Sequence, residues 1–158
     1  MPKHRHFLLH KPVAFLSQFI RVGKRKKRLL GELYDFPEGT MSIGRLDEHS
    51  EGLLFLTTDG MTSFNVLSRK FEKEYYVQVD GIITDEAIEQ MKTGVEIGVK
   101  GTKYITLPCE AKRLDPSPDF PQRTKKIRDE RHGPTSWASI TIREGKNRQI
   151  RKMTAAVG

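Results

Sequence analysis

Alternation of apolar and polar side chains runs through much of the chain and predicts short β-strands. In the stretch KEYYVQVDG, Tyr75 and Val77 lie on one face of the predicted strand and Tyr76 lies on the other. The other predicted strands are HFLLHKP, FLSQF, MSIG, GLLFLTTDG, TSWASITIREG and KYITLPCEAKRL, the last interrupted by a proline. Prolines and glycines between these segments mark turns and loops.

Three segments have helical spacing and helix-start residues. MTSFNVLS is preceded by Asp59 and contains Thr62, either of which can cap its first amides. TDEAIEQMKTG begins with Thr84 as N-cap and ends at Gly94, and KNRQIRKMTAAVG is predicted to begin at Asn147. Short helices scattered among strands predict an α+β fold, with a mixed sheet that is largely antiparallel and flanked by those helices.

The length of 158 residues fits one domain, residues 1–158, with two lobes as an option. Hydrophobic residues make up 36% of the chain, which is enough for a modest core. The single cysteine excludes an internal disulfide and a cysteine-based zinc site. No apolar run approaches the ~20 residues of a membrane span, so we expect a soluble cytoplasmic protein without a membrane partner.

Charge is the strongest global feature of the composition. Lys and Arg total 28 against 20 Asp and Glu, a net charge of +8, and three basic clusters occupy residues 21–28, 121–132 and 143–152. Clusters of this kind around a more acidic middle favour a nucleic-acid surface over an ordinary solvated face. The predicted RNA-binding residues are Lys24, Arg25, Lys26, Lys27, Arg28, Lys125, Lys126, Arg128, Lys146, Arg148 and Lys152.

Several common chemistries lack their motifs. The sequence contains no GxGxxG or GxxxxGK[ST] phosphate loop, no HExxH helix and no GxSxG nucleophile turn. His4, His6 and His10 fit a polar N-terminus better than a metal site, and we predict no metal.

One carboxylate stands out in the stretch GRLDEHSEGLLFLTTDG. Asp47 follows a Gly-Arg-Leu turn at the edge of an apolar run, where it needs a cationic partner such as Arg45, Arg148 or Arg151. The residue types alone leave a structural ion pair and a catalytic carboxylate equally open, because both produce such groupings.

Four motifs in order carry a resemblance to a known family. The stretch GRLDEHSEGLLFLTTDG resembles the signature of the RsuA-type pseudouridine synthases, and KEYYVQVDG resembles their KxYxVxVxG strand. The ending TSWASITIREGKNRQIRKMTAAVG is similar to their EGKNRQ[IV]RRM segment, and HKP corresponds to their NKP. The resemblance covers nearly the whole chain.

The resemblance implies a pseudouridine synthase fold with a central RNA-binding cleft, which isomerises uridine in RNA without a cofactor. Asp47 matches the essential aspartate, which acts either as nucleophile on the sugar or as the base that opens a glycal path. Tyr75 matches the tyrosine that stacks on the target base and helps to remove the C5 proton. Arg151 matches the basic partner of the aspartate. Arg45 matches the arginine that fills the stack left by the flipped nucleotide. Leu53 and Leu54 are candidate pocket walls.

The resemblance also implies a substrate and a domain organisation. No residues precede HKP in sufficient number for the S4-type RNA-binding module of most members, and this feature, with IRDERHGPTSW, is most like a member that acts on large-subunit ribosomal RNA. We therefore expect 23S ribosomal RNA as partner and a monomer. The final element of the domain is expected to lie beyond Gly158. His10 and Lys152 depart from the family's usual asparagine and arginine.

Two alternatives stay open at this point. One is a pseudouridine synthase for 16S ribosomal RNA or transfer RNA. The other is a non-catalytic RNA-binding protein of ribosome assembly, which would explain the charge equally well but not the contexts of Asp47, Tyr75 and Arg151.

Overall fold

The computed structural model describes residues 3–124 and 130–158. The chain forms two compact units, Met1–Lys70 and Phe71–Gly158. Each unit has its own small sheet system and its own hydrophobic core.

The first unit is built on a three-stranded antiparallel sheet of order β1-β5-β4. A second, two-stranded parallel sheet pairs β2 with β3. The elements are β1 (His6–Lys11), β2 (Phe15–Leu16), β3 (Arg28–Leu29), a 3₁₀ turn (Leu30–Glu32), β4 (Met41–Ile43), β5 (Gly52–Thr57) and helix α1 (Gly60–Leu67).

Strand alternation places the core of the first unit on one face of the three-stranded sheet. Leu54 and Leu56 of β5 are buried there with Leu30, and Phe7 and Leu9 of β1 pack against them. On α1, the Asp59 carboxylate accepts hydrogen bonds from the Met61 and Thr62 amides, as an N-cap does. The Thr62 hydroxyl also donates to it at 2.7 Å, and these bonds lower the pKa of Asp59. The predicted cap Asp59 is therefore confirmed.

The second unit is built on a three-stranded antiparallel sheet of order β6-β10-β9 and a β7-β8 hairpin. The elements are β6 (Lys73–Asp80), α2 (Asp85–Thr93), β7 (Glu96–Val99), β8 (Thr102–Ile105), β9 (Glu110–Leu114), a 3₁₀ turn (Glu130–His132), β10 (Thr135–Ile142) and α3 (Gln149–Ala156).

Helices α2 and α3 supply apolar faces to the core of the second unit. Met91 of α2 and Met153 of α3 are fully buried, together with Ile140 of β10. The N-cap Thr84 accepts a hydrogen bond from the Ala87 amide at 3.1 Å, and Gly94 ends α2, as the sequence predicts.

The predicted α+β class with largely antiparallel sheets is confirmed. Some local features differ from what the sequence predicts. FLSQF forms a strand only at Phe15–Leu16, and the strand Glu96–Val99 was not predicted. The cap of α3 is Arg148 in a left-handed conformation and not Asn147. The local sequence favours asparagine, but the loop before α3 is set by long-range hydrogen bonds.

Candidate active site

Asp47 lies half-buried on the loop that joins β4 to β5. The loop leaves β4 at Gly44, whose φ of +74° disfavours any residue with a Cβ. A Cβ at this position would also approach Leu67 to 3.3 Å. Directly after the carboxylate, the Ser50 amide donates to the Asp47 carbonyl at 3.0 Å and closes a turn. The glycine and the turn together fix the backbone conformation of the loop before and after Asp47.

The residue before the carboxylate is held by a buried serine. Ser17 Oγ donates to the Leu46 carbonyl at 2.9 Å and accepts from the Leu46 amide at 3.0 Å. Ser42 Oγ in turn donates to the Ser17 carbonyl at 2.9 Å. Because Ser17 satisfies both backbone groups of Leu46, it restrains the backbone dihedral angles next to Asp47.

The residue after the carboxylate is held from the other side by a buried ammonium. Lys11 is fully buried, and its Nζ donates to the carbonyls of Pro12 and Phe15 at 2.8 Å and of Glu48 at 3.4 Å. The Ala14 amide also donates to the Glu48 carbonyl, at 2.7 Å. Burial lowers the pKa of Lys11, while the charges of the nearby acids, Asp47 among them, oppose that shift. Lys11 therefore brings a positive charge and a backbone anchor to the loop.

Two side-chain contacts connect this loop to the first basic cluster. Lys27 Nζ donates to both carboxylate oxygens of Glu48 at 2.8 Å, and this bond lowers the pKa of Glu48. Arg45 Nη2 donates to the Gln18 side-chain oxygen at 2.6 Å. Arg45 and Glu48 flank Leu46 and Asp47. Arg45 is therefore bonded to Gln18 and Glu48 to Lys27, the residues on either side of the segment 19–26.

The five predicted RNA-binding residues of the first cluster fall into two groups. Lys24, Arg25 and Lys26 are exposed. Lys27 is paired with Glu48, and the Arg28 guanidinium lies 4.1 Å from the centre of the Phe15 ring. The first group faces solvent with its charge, whereas the second group also supports the fold of the first unit.

Tyr75 lies on β6 in the second unit, half-buried against that unit's core. Burial raises the pKa of its phenol above the ordinary value of 10.0, so that Tyr75 is a neutral phenol at pH 7. Its neighbour Tyr76 faces the other way and lies beside Phe120, with ring centres 5.8 Å apart. The predicted alternation of the two tyrosines is confirmed.

The loop before α3 is organised around a buried carboxylate. Glu144 accepts hydrogen bonds from the Tyr104 hydroxyl, from the Leu107 amide at 2.9 Å and from the Gln149 side chain at 2.8 Å. Gln149 also accepts from the Lys146 amide at 3.0 Å. This arrangement holds the loop that leads into the helix and brings the Lys146 ammonium to 4.8 Å from the Tyr104 ring centre.

The basic residues of the last cluster lie around the start of α3. Arg148 adopts φ 52° and ψ 33°, a left-handed conformation that costs about 1 kcal/mol or more in a residue with a Cβ. Arg148 and Arg151 are exposed, and Lys152 is half-buried. A strained, exposed arginine held by a buried network is typical of a functional surface.

The structure therefore assigns the predicted residues to both units. Arg45 and Asp47 lie together on one loop of the first unit, whereas Tyr75, Arg148 and Arg151 belong to the second. The predicted residues Lys125, Lys126 and Arg128 lie outside the described residues.

The two candidate pocket-wall residues, Leu53 and Leu54, lie on opposite faces of β5. Leu54 is buried in the core and Leu53 is 61% exposed, because successive strand residues face opposite sides.

Sequence reasoning missed Lys11, Ser17 and Gln18 as supports of the Asp47 loop. Lys11 had a signal, since it belongs to the HKP motif, but that motif was interpreted only at His10. Ser17 and Gln18 had no signal, because their partners are 29 and 27 residues away.

Residues 3–124 and 130–158 contain no group of three or more His, Cys, Asp or Glu side chains placed to hold a metal ion. Within the same ranges, no helix has the length and hydrophobicity needed to cross a membrane.

Comparisons with known proteins agree on one family. The model of the family described as RNA pseudouridylate synthase matches residues 5–156. Ribosomal large subunit pseudouridine synthase E of Xanthomonas axonopodis pv. citri (strain 306) is 39% identical over 153 residues, which are 96% of this chain and 78% of that protein. The protein of the same name from Vibrio parahaemolyticus serotype O3:K6 is 37% identical over 96% of this chain and 61% of its own length.

A more distant relative and a solved structure extend the comparison. Ribosomal large subunit pseudouridine synthase B of Bacillus subtilis (strain 168) is 30% identical over 97% of this chain and 56% of its own length. A crystal structure of a pseudouridylate synthase superposes with a TM-score of 0.74 at 25% identity, over 100% of this chain and 59% of that one. The chain thus spans between 56% and 78% of the length of these proteins.

Proposed function

The chain belongs to the RNA pseudouridylate synthase family, and on that premise we propose that it isomerises uridine to pseudouridine in 23S large-subunit ribosomal RNA. The observation that carries the proposal is the match over residues 5–156 together with relatives, up to 39% identical, named as large-subunit pseudouridine synthases. A ribosomal RNA substrate implies action in the cytoplasm. One chain supplies every proposed site residue, so we propose that it acts as a monomer.

The reaction changes the atom of uracil that is bonded to the ribose. The bond from N1 of uracil to C1′ of ribose breaks, the base turns, and C5 bonds to C1′, while the C5 proton is lost and N1 gains a proton. Because C1′ and C5 are hidden in a stacked strand, the uridine must first be flipped out, at a cost of a few kcal/mol.

We propose Asp47 as the catalytic carboxylate, either as nucleophile at C1′ or as base in a glycal path. The loop that carries Asp47 supports this proposal, because its neighbours are held by hydrogen bonds. Ser17 bonds Leu46, Lys11 bonds Glu48, and Arg45 bonds Gln18. A carboxylate whose backbone is held on both sides meets the reacting carbon in one geometry, which is what positioning contributes to catalysis. The Lys11 ammonium interacts electrostatically with Asp47 and places a positive charge on the loop that carries it.

We propose that Tyr75 stacks on the flipped uracil and helps to remove the C5 proton through its hydroxyl. Its raised pKa makes a phenolate base unfavourable at pH 7, so the ring and the neutral hydroxyl are the groups it offers. Arg151 is proposed as the catalytic cation of the reaction, and Arg45 as the side chain that fills the gap in the RNA stack. The remaining exposed cations would bind phosphates and set the position of the RNA without selecting the uridine.

Carbodiimide labelling followed by primer extension tests this proposal. Purified protein is incubated with unmodified large-subunit, small-subunit and transfer RNA, in parallel with Asp47→Asn. We expect one new stop in the large-subunit RNA with the parent protein and none with the variant.

Each other outcome contradicts a separate part of the proposal. A stop only in small-subunit or transfer RNA would contradict the substrate. A stop that persists with Asp47→Asn would contradict the role of Asp47. If no RNA is modified although the folded protein binds it in a salt-dependent way, the protein is an RNA-binding factor and not an enzyme.

A further inference from the structure

Two exposed aliphatic side chains stand within the first basic cluster. Ile20 and Val22 are 77% and 80% exposed, the highest values among the large hydrophobic residues described. They alternate with Arg21 and precede the exposed cations Lys24–Lys26, so that one short loop, residues 20–26, offers both apolar and positive groups. We name this segment the tip loop.

The ends of the tip loop are fixed although its middle is exposed. On one side, the Gln18 side-chain amide donates to the Ile20 carbonyl at 2.8 Å. The backbone of Gln18 also accepts from the Leu30 amide at 3.1 Å, which closes the base of the loop. On the other side, Lys27 is bonded to Glu48 at 2.8 Å. The loop is therefore a defined projection with a turn at Gly23, where φ is +85°.

The same contacts join the tip loop to the proposed catalytic segment. Gln18 holds the Ile20 carbonyl with its amide nitrogen and the Arg45 guanidinium with its oxygen, at 2.6 Å. Lys27 holds Glu48, the residue after Asp47. An RNA strand that reaches Asp47 and Arg45 therefore passes close to the base of the tip loop, since all of these residues belong to one unit.

We propose that Ile20 and Val22 bind unpaired bases of the RNA that flank the target uridine, as an apolar wedge on a cationic loop. Apolar side chains of other nucleic-acid-binding proteins insert beside bases and unstack them. The Lys24–Lys26 side chains neutralise the adjacent phosphates, and the wedge lowers the cost of flipping the uridine. Gln18 is a positioning residue, because its side chain bonds both the Ile20 carbonyl and the Arg45 guanidinium and so fixes their relative position. This inference rests on the proposed RNA substrate.

Binding measurements in the Asp47→Asn protein separate the wedge from turnover. The probe is a fluorescein-labelled RNA hairpin with an unpaired uridine-rich loop, and its anisotropy is followed across a salt series. The double variant Ile20→Ser/Val22→Ser should bind about tenfold more weakly, because burial of each side chain is lost, with an unchanged salt slope. Lys24→Gln/Arg25→Gln/Lys26→Gln should instead flatten the slope of log K against log salt by about 2.

The matched control is Ile82→Ser/Ile105→Ser, which removes two aliphatic side chains that are 57% and 68% exposed in the second unit. It should bind like the parent. Equal losses in both double variants, or none in Ile20→Ser/Val22→Ser, would overturn the wedge. A fully paired duplex should not distinguish the wedge variant from its parent, and a tenfold loss there would also contradict base contacts.

Fluorescence of 2-aminopurine placed beside the target uridine reports unstacking directly. It should rise when the Asp47→Asn protein binds and rise less when Ile20→Ser/Val22→Ser is added to that protein. Gln18→Leu should reduce the rise as well, whereas Gln18→Glu, which keeps an acceptor for Arg45, should reduce it less. A Gln18→Leu protein with the parent's signal would contradict the positioning role.

Anionic phospholipid vesicles test the alternative partner, because a loop with apolar and basic side chains can also bind a membrane surface. If Ile20→Ser/Val22→Ser lost vesicle binding and kept RNA binding, the loop would be a membrane contact and the proposal would fail. Because all arms use a turnover-silent protein, failure of the wedge is distinct from failure of the proposed activity, which is judged by pseudouridine mapping with the parent.

Discussion

The two units present their proposed catalytic side chains in different ways. In the first unit, Asp47 stands on a loop whose neighbouring backbone is held by hydrogen bonds from Lys11 and Ser17. In the second unit, Tyr75 stands on a strand and is held by apolar packing around Ile140, its partner across the sheet. The carboxylate therefore depends on a few polar tethers and the phenol on a regular element.

This difference predicts how each unit responds to substitution. A polar tether acts through directed bonds to one or two backbone groups, so its loss changes the geometry at Asp47 as well as the stability. Apolar packing is spread over many side chains, so a small core truncation lowers stability while the strand keeps its alternation.

Lys11→Met should have the largest effect. It removes three donated bonds and leaves the carbonyls of Pro12 and Phe15 to be satisfied otherwise, while the Glu48 carbonyl keeps its bond from the Ala14 amide; the cost is about 3 kcal/mol in the free energy of unfolding. The turnover rate should fall about 10²-fold, because the Asp47 loop shifts. Urea unfolding followed by circular dichroism and single-turnover assays measure both. Lys103→Met, at a side chain 84% exposed, is the control and should change neither.

Ser17→Ala should have an intermediate effect. It removes both bonds to Leu46 and should cost about 1–2 kcal/mol and about tenfold in rate. Ser63→Ala, within α1, should change stability by less than about 0.5 kcal/mol and leave the rate unchanged. A parent-like rate in Ser17→Ala would show that Leu46 does not need this tether.

Ile140→Val sharpens the contrast from the second unit. It removes one methyl group from a fully buried side chain and should cost about 1 kcal/mol, close to the cost of Ser17→Ala. The rate should nevertheless stay at the parent value. Urea unfolding followed by the fluorescence of Trp137, the single tryptophan, measures the stability of the sheet that carries Tyr75. A tenfold loss of rate would contradict the distinction between tether and packing.

The titration of Tyr75 should give the smallest effect. Burial raises its folded pKa above 10.0, so the folded state retains its proton where the unfolded state loses it. The contribution of Tyr75 to stability is therefore complete below pH 10 and is lost as the pH rises through the raised value. The absorbance of tyrosinate at 295 nm, taken as the difference between parent and Tyr75→Phe, should titrate above pH 10. A midpoint at or below 10 would contradict the buried position.

Local patterns predicted much of this structure. The alternation around Tyr75, the cap residue Thr84 and the cap residue Asp59 follow from neighbours within a few residues, and each is confirmed. The tethers of the Asp47 loop could not be predicted, because Ser17 and Lys11 find their partners 29 and 37 residues along the chain. The alternation of apolar and polar residues carries no information about pairs that are so far apart in the sequence.

Charge alone also could not show which cations of the first cluster contact other side chains of the first unit. Lys27 and Arg28 belong to the same basic run as Lys24–Lys26, yet they contact Glu48 and Phe15. The roles of Asp47, Tyr75 and Arg151 came from the resemblance to the family and stay predictions.

Loss of tritium from RNA labelled at C5 of uridine, measured in a single turnover, tests the role of Asp47 most directly. The parent protein should release tritium from large-subunit ribosomal RNA, and Asp47→Asn should release it at least about 10³-fold more slowly while binding the RNA equally well. Asp85→Asn, a change at an acid in the first turn of α2, should match the parent. If Asp47→Asn released tritium at the parent's rate, Asp47 would not be the catalytic carboxylate.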